Sequence, residues 1–175
     1  MSVAERRAVQ PKMSADGTPI HALPEDITRQ EAAGKIIEAA LDCKLTNLGV
    51  FAPIDLWVSR NGQPIGVAEI KTRIYADDER YPSELLNIRK YNHLATHWLL
   101  TGQAAVFFSC AIHPDMAVIR YAAVQSIPAD AKNWRIIGMR GGVVKSRNDV
   151  EPCLIIPHDH MKELWRGDPS EVSPK

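Results

Sequence analysis

The dipeptide Asn61-Gly62 separates two segments, Ile54–Ser59 and Ile65–Thr72, that are rich in apolar and β-branched residues. Asn and Gly both tolerate positive φ, which a tight two-residue connection demands, so this stretch predicts a β-hairpin. A lone hairpin is marginal in water and has to be covered. The flanking sequence offers cover on both sides. Upstream, Thr28 stands three residues before Glu31 at capping-box spacing, and Ala33, Ile36, Ile37, Ala40 and Leu41 repeat at helical intervals, predicting a helix that ends at Leu41. Leu45–Phe51 reads as a further strand. Downstream, Leu85, Leu86, Ile88, Tyr91, Leu94, Ala95, Trp98 and Leu99 form an apolar stripe that predicts a helix over Ser83–Leu100, with Gly102 as its stop. Ala104–Cys110 is a continuous apolar run suited to a buried strand, Met116–Val124 and Cys153–Ile156 read as strands, and Asp159–Trp165 reads as a short helix. Helices interleaved with strands in this way predict an α/β domain.

A chain of 175 residues is long enough for one domain with its own core. Residues 1–26 are charged, Pro-containing and aperiodic and are expected to form a loosely docked arm, with the domain over 27–167 and a tail over 168–175. No apolar run approaches the ~18 residues of a membrane span. Met1–Ile20 lacks the apolar stretch of a secretory signal, so the cytoplasm is the default compartment. Cys43, Cys110 and Cys153 have neither CxxC spacing nor an even count, which argues against a disulfide framework and a thiolate zinc site. The formal net charge is zero, so any affinity for nucleic acid has to come from local patches. Two groups qualify: Lys71, Arg73, Arg80, Arg89 and Lys90, and, further on, Arg135, Arg140, Lys145 and Arg147.

The hairpin carries the chemistry. Pro53-Ile54-Asp55 is followed, after thirteen intervening residues, by Glu69-Ile70-Lys71. Two carboxylates are the donors a hard divalent cation takes, and a neighbouring ammonium steadies charge on a phosphate or orients the attacking water. Glu69 and Lys71 are two apart on a strand and share a face, while Ala68 and Ile70 face the other way. The turn imposes a further condition. A regular two-residue hairpin pairs Arg60 with Gln63, hence Asp55 with Ala68 and Ile54 with Glu69, and sends the two carboxylates to opposite faces of the sheet. A three-residue loop Arg60-Asn61-Gly62, or a bulge in either strand, restores one face, so an odd-membered loop or a bulge is expected.

This arrangement resembles the PD-(D/E)XK nuclease superfamily, which includes restriction endonucleases, four-way-junction resolvases and phage exonucleases. The resemblance runs from Glu31 to about Cys110 and departs from the pattern in spelling its first motif Pro-Ile-Asp instead of an adjacent Pro-Asp. It implies a restriction-endonuclease-like core, a central mixed β-sheet flanked by helices, and Mg²⁺-dependent hydrolysis of DNA with Mn²⁺ as a substitute. In this chain Asp55 and Glu69 match the metal ligands and Lys71 the motif lysine. The family's helical acid falls on Glu31 or Glu38. These are seven residues, about 10.5 Å of helix rise, apart and cannot reach one metal together. Glu31 is favoured because it precedes Asp55 by twenty-four positions, as in the resolvases. Arg73 and Lys90 are the residues expected to face DNA. The compact chain is similar to small phage-encoded nucleases, and the resemblance leaves a homodimer open. The alternative is a non-catalytic nucleic-acid-binding or assembly module that keeps the fold.

Other features read more simply as structure. His93 and His97 lie four apart without the Glu of an HExxH motif, and His158-Asp159-His160 has no further ligand cluster to join. Ser109, Cys110 and His113 lack a nucleophile-elbow signature. Gly141-Gly142 lacks the strand-to-helix context of a phosphate loop, and Trp57, Trp98, Trp134 and Trp165 are spread as core-edge residues are.

Overall fold

The computed structural model describes residues 24–49, 52–75, 82–130, 133–138 and 150–173. Helix α1 (Pro24–Leu41) opens on a proline with Glu25 and Asp26 in its first turn. Proline lacks the N–H that would go unpaired there, and the acids suit the positive end of a helix. The helix therefore starts a turn before Thr28, the expected cap, and takes in the last residues of the expected arm. Residues 1–23 lie outside the described part. Strands β1 (Lys44–Asn47), β2 (Leu56–Arg60) and β3 (Gln63–Ile74) follow, each antiparallel to the one before. Next come β4 (Ser83–Asn87), helix α2 (Ile88–Thr101) and β5 (Ala104–Ile112), which returns parallel to β3. The chain closes with β6 (Ala117–Ala123), β7 (Trp134–Gly138), β8 (Val150–Pro157), β9 (Lys162–Gly167) and the short α3 (Pro169–Val172).

The result is an α/β architecture built on a mixed six-stranded sheet of order β1-β2-β3-β5-β6-β9, with a second, three-stranded sheet of order β4-β8-β7. Alternation along β3 sorts the core into two layers. Val67 joins Leu86, Leu94, Phe107, Ala122, Leu154 and Ile156 beneath α2 and the smaller sheet. Ala68 and Ile70 face the other way, against Ala33 and Ile37 of α1 and Val172 of α3. Each fully buried large aliphatic side chain contributes roughly 1.5–3 kcal/mol, so both faces of the sheet are held by their covers. None of the described helices is long and apolar enough to cross a membrane.

Three expected elements change. Ser83–Asn87, expected as the first turns of a helix, is strand β4: it pairs residue for residue with β8, and burial of Glu84 and Leu86 alternates with partial exposure of Ser83, Leu85 and Asn87. The helix starts only where Asn87 caps it, its side chain accepting from the Arg89 N–H. Gly102, at φ 68°, ends α2 in the left-handed conformation as expected. Asp159–Trp165 is not helical: a single 3-10 turn, His158–His160, leads into β9, whose backbone groups pair with β6. The segment after Gly167, expected as a tail, folds back as α3 with an Asp168 capping box and buries Val172 against α1. Strand β7 has no counterpart among the expected elements, and the expected strand Leu45–Phe51 is represented by β1, Lys44–Asn47, with Leu48 and Gly49 outside it and residues 50–51 not among those described.

The hairpin meets its geometric condition through a bulge. Asn61 and Gly62 have φ 50° and 75°, and Arg60 pairs with Gln63, so the turn is the tight two-residue kind. The register then shifts: Ser59 pairs with Pro64 but Val58 with Gly66, leaving Ile65 without a partner on β2. Pro64 has no N–H to give the ladder, which makes this the natural place for pairing to slip. Gly66 is held tightly on its other side, because a Cβ there would stand 2.3 Å from the carbonyl oxygen of Ala104. Gly66→Ala is therefore expected to push β3 off β5 and destabilise the protein by about 1–3 kcal/mol, read as a lowered midpoint in urea unfolding; an unchanged midpoint would show that the β3–β5 contact yields freely.

Candidate active site at the hairpin

From Gly66 onward the bulged register pairs Trp57 with Val67 and Leu56 with Ala68. One step further brings Asp55 opposite Glu69, and their side chains lie on one face, the side of the sheet that α2 covers. Asp55 sits just before β2 and is pinned by its carbonyl oxygen, which accepts from the Leu48 N–H at 2.9 Å. Glu69 lies mid-strand and is 7% exposed. The third member is Lys90, in the first turn of α2. Its ammonium donates to Asp55 Oδ1 and lies 3.2 Å from Glu69 Oε2.

The charges here are strongly coupled. Burial, followed by the charge of Asp55, pushes the Glu69 carboxyl up to about 8, against the pull of Lys90. Burial alone would lower the Lys90 ammonium, but its bond to Asp55 and the charges of both carboxylates outweigh this and hold it above the ordinary lysine value. Glu69 Oε2 is buried and, although close to Lys90, receives no well-directed hydrogen bond. A buried acceptor left short of a donor is unfavourable and marks a place where a cation or water gains. Two carboxylates with one under-satisfied oxygen suit a hard divalent ion that keeps several water or phosphate ligands, as Mg²⁺ does. Among the described residues no group of three or more His, Cys, Asp or Glu that could hold a metal ion is present, so Asp55 and Glu69 stand as a pair of carboxylates without a third protein donor.

The other expected site residues have different fates. Lys71 follows Glu69 on the same face of β3, is exposed, and makes no ion pair or side-chain hydrogen bond among the described residues. Arg73, expected to face nucleic acid, is turned inward: its guanidinium donates to Glu84 Oε2 at 3.0 Å and to the Leu85 carbonyl oxygen. Lys90, expected to point at DNA, grips the carboxylate pair instead. Glu31 is not brought to the pair. It is exposed on α1, which packs on the Ala68 and Ile70 face, and it lines a shallow groove with Thr28, Lys35 and Glu171. Glu38 is engaged elsewhere, accepting from the Leu45 N–H at 2.7 Å and pairing with Lys44. The side chains of Arg135, Arg140, Lys145 and Arg147 lie outside the described residues, as do Arg80 and Gly141-Gly142.

His97 and Cys110 sit in structural surroundings. His97 lies 3.1 Å from Gln103 and meets Trp57 edge-on, while His93 is exposed. Burial pushes the Cys110 thiol up to about 12, the opposite of what a nucleophile needs. Sequence reasoning missed one polar cluster. Glu84, buried on β4, takes Arg73 on one oxygen and His158 Nε2, at 3.3 Å, on the other. Burial would raise its pKa, but the bond from His158 and the charge of Arg73 bring it below the ordinary value. Its signal was available: period-two burial in Ser83–Asn87 puts Glu84 on the same side as Leu86. No family model and no curated protein matches the chain.

Glu69 generates a stability prediction whose sign follows from its raised pKa. A carboxyl held protonated by the fold contributes stability that is complete below its unfolded value near 4.5 and lost as pH rises through about 8. Without divalent metal, the wild-type melting temperature should fall as pH climbs from 6 to 9, and Glu69→Gln should flatten that slope. Parallel profiles for the two proteins would show that Glu69 is already ionised in the fold.

Proposed function

We propose that the chain is a divalent-metal-dependent nuclease of the PD-(D/E)XK type that hydrolyses DNA phosphodiester bonds, with Asp55 and Glu69 as the metal-binding pair. The observation that carries this reading is the bulge at Ile65, which turns both carboxylates to one face and leaves a buried Glu69 oxygen short of a donor. Also in support, α1, the β1-β2-β3 meander with the split motif, α2 and the parallel β5 follow the element order that the resemblance implies, with β4 of the smaller sheet placed before α2.

When bound, Mg²⁺ or Mn²⁺ would supply Lewis-acid polarisation of the phosphate and activation of the attacking water. The chain's own residues do the rest. Asp55 and Glu69 fix the position of the charge, and Glu69 loses its proton to become a ligand, which ties metal affinity to pH. Lys90 holds the two carboxylates together in the metal-free protein and has to release them when a dication arrives. Its side chain is 28% exposed, so its ammonium has a route toward a bound phosphate. Lys71, on the same face and without an ion pair among the described residues, would meet the charge that develops on the scissile phosphate.

Asp55→Asn and Glu69→Gln are each expected to lower Mg²⁺-dependent cleavage of plasmid and four-way-junction DNA by a thousandfold or more, while circular dichroism stays native. Glu69→Gln should also abolish the proton release that calorimetry in buffers of different ionisation enthalpy detects on Mg²⁺ binding. Wild-type cleavage by both variants would sink the assignment.

The grip of Lys90 on both carboxylates also fits a second reading, in which the cluster is a purely structural ion triad in a binding or assembly module without turnover. The two readings part on Lys90→Met. If Lys90 competes with the metal, the variant binds Mg²⁺ more tightly than wild type and regains thermal stability when Mg²⁺ is added. If the triad is structural, the variant is destabilised and Mg²⁺ rescues nothing.

A further inference from the structure

Past the carboxyl end of β3, on the α2 side of the sheet, a cleft of about 280 Å³ is lined by Tyr75, Glu84, His113, Arg120, His158 and Arg166, among others. Its charges do not cancel. Both oxygens of Glu84 are engaged, by Arg73 at 3.0 Å and by His158 at 3.3 Å. On β9, Glu163 stands opposite Arg120 in the strand register, yet its two oxygens are taken by the fork of Arg166 at 3.0 and 2.7 Å. Arg120 is left half-buried, with no ion pair or side-chain hydrogen bond among the described residues. Beside it, the buried His113 ring stacks on Tyr75 with centroids 5.1 Å apart.

A guanidinium drawn partly out of water without a close ion-pair partner is unfavourable; Glu163 acts on Arg120 only through its charge and not through an ion pair, and an anion in the cleft would supply the close partner. The guanidinium fork matches paired oxygens, and the surrounding donors come from β6, β9 and the segments after β5 and β8, enclosing the space from several directions. That enclosure suits a tetrahedral oxyanion better than a flat carboxylate. The volume is at the small end of ligand pockets, enough for one charged group with its water. Arg120 is also in line with Lys71: Lys71 pairs in register with Ser109, and Ser109 with Arg120. Two cations that form no ion pair among the described residues thus share one row of the sheet, two strands or about 10 Å apart.

We propose that this cleft is a subsite for a phosphate group, anchored by Arg120 with His113, His158 and Tyr75 around it. The group would be the terminal phosphate of a nucleic-acid strand or free phosphate. The strand-end source rests on the nuclease reading; the subsite does not.

The test follows backbone amide shifts of the intact protein in EDTA, first with inorganic phosphate, then with oligonucleotides identical except for a 5′-phosphate, a 3′-phosphate or hydroxyl ends. The expected result is shifts centred on residues 111–120 and 158, with affinity for phosphate lowered about tenfold or more in Arg120→Gln and partly restored in Arg120→Lys. A preference for a phosphorylated end that Arg120→Gln abolishes assigns the strand-end source, and phosphate binding without end preference assigns free phosphate. Shifts confined to Lys71 and Lys90, or equal affinity in Arg120→Gln, overturn the proposal. Should Arg120→Gln fail to fold, the wild-type shift map decides alone. Because no cleavage is read, loss of the nuclease reading would leave this result standing.

Discussion

Ile65 has no partner on β2, and the position of every group in the candidate site depends on that one unpaired residue. A strand alternates faces with a period of two, so a single extra residue moves all that follows to the other side. Without it Glu69 would point into the layer under α1, among Ala33, Ile37 and Phe108, where a carboxylate would meet neither Asp55 nor Lys90. With it, Ala68 and Ile70 take that apolar layer and Glu69 faces α2. The same slip therefore completes the α1-side core and assembles the polar site. Gly66 sets the bulge in place from the far side, because β5 comes too close there to admit a side chain.

Electrostatics on the α2 side follow from this arrangement. Acidic groups that would repel or strand one another in a low-dielectric layer are each met by a partner from another element: Asp55 and Glu69 by Lys90 of α2, and Glu84 of β4 by the Arg73 guanidinium of β3 and the His158 ring. The two clusters differ in completeness. Glu84 has both oxygens engaged and its pKa is lowered, the signature of a finished structural ion pair. Glu69 is pushed up and retains an under-satisfied oxygen. That contrast within one protein is why Asp55 and Glu69 stand out as a place for chemistry and Glu84 as a tie between the two sheets.

Much was legible from sequence because local rules govern it. The apolar run of Ile65–Thr72, the turn at Asn61-Gly62 and the stripe through Leu94 each reflect the periodicity or turn chemistry of a single element. The need for an odd-membered loop or a bulge could also be stated in advance, since it follows from counting residues between Asp55 and Glu69. Its location could not. Ile65 is left over because Pro64 cannot donate and because Ala104 crowds Gly66, and the second of these belongs to a strand nearly forty residues away. Ser83–Asn87 misled for a related reason: Leu85 and Leu86 continue the helical stripe of α2, and only pairing with β8 makes them strand.

The sequence by itself determined which residues are capable of the chemistry, because side-chain type and strand period bring Asp55, Glu69 and Lys71 into a single pattern without reference to the rest of the chain. Tertiary structure decided which cations are available. Arg73 and Lys90 look alike in sequence as basic residues near the motif, but β4 brings Glu84 onto Arg73 and the Asn87 cap aims Lys90 at the carboxylates, while Lys71 and Arg120 form no ion pair among the described residues. Charge pairing depends on distances of a few ångströms between elements remote in sequence, and no local pattern encodes those distances.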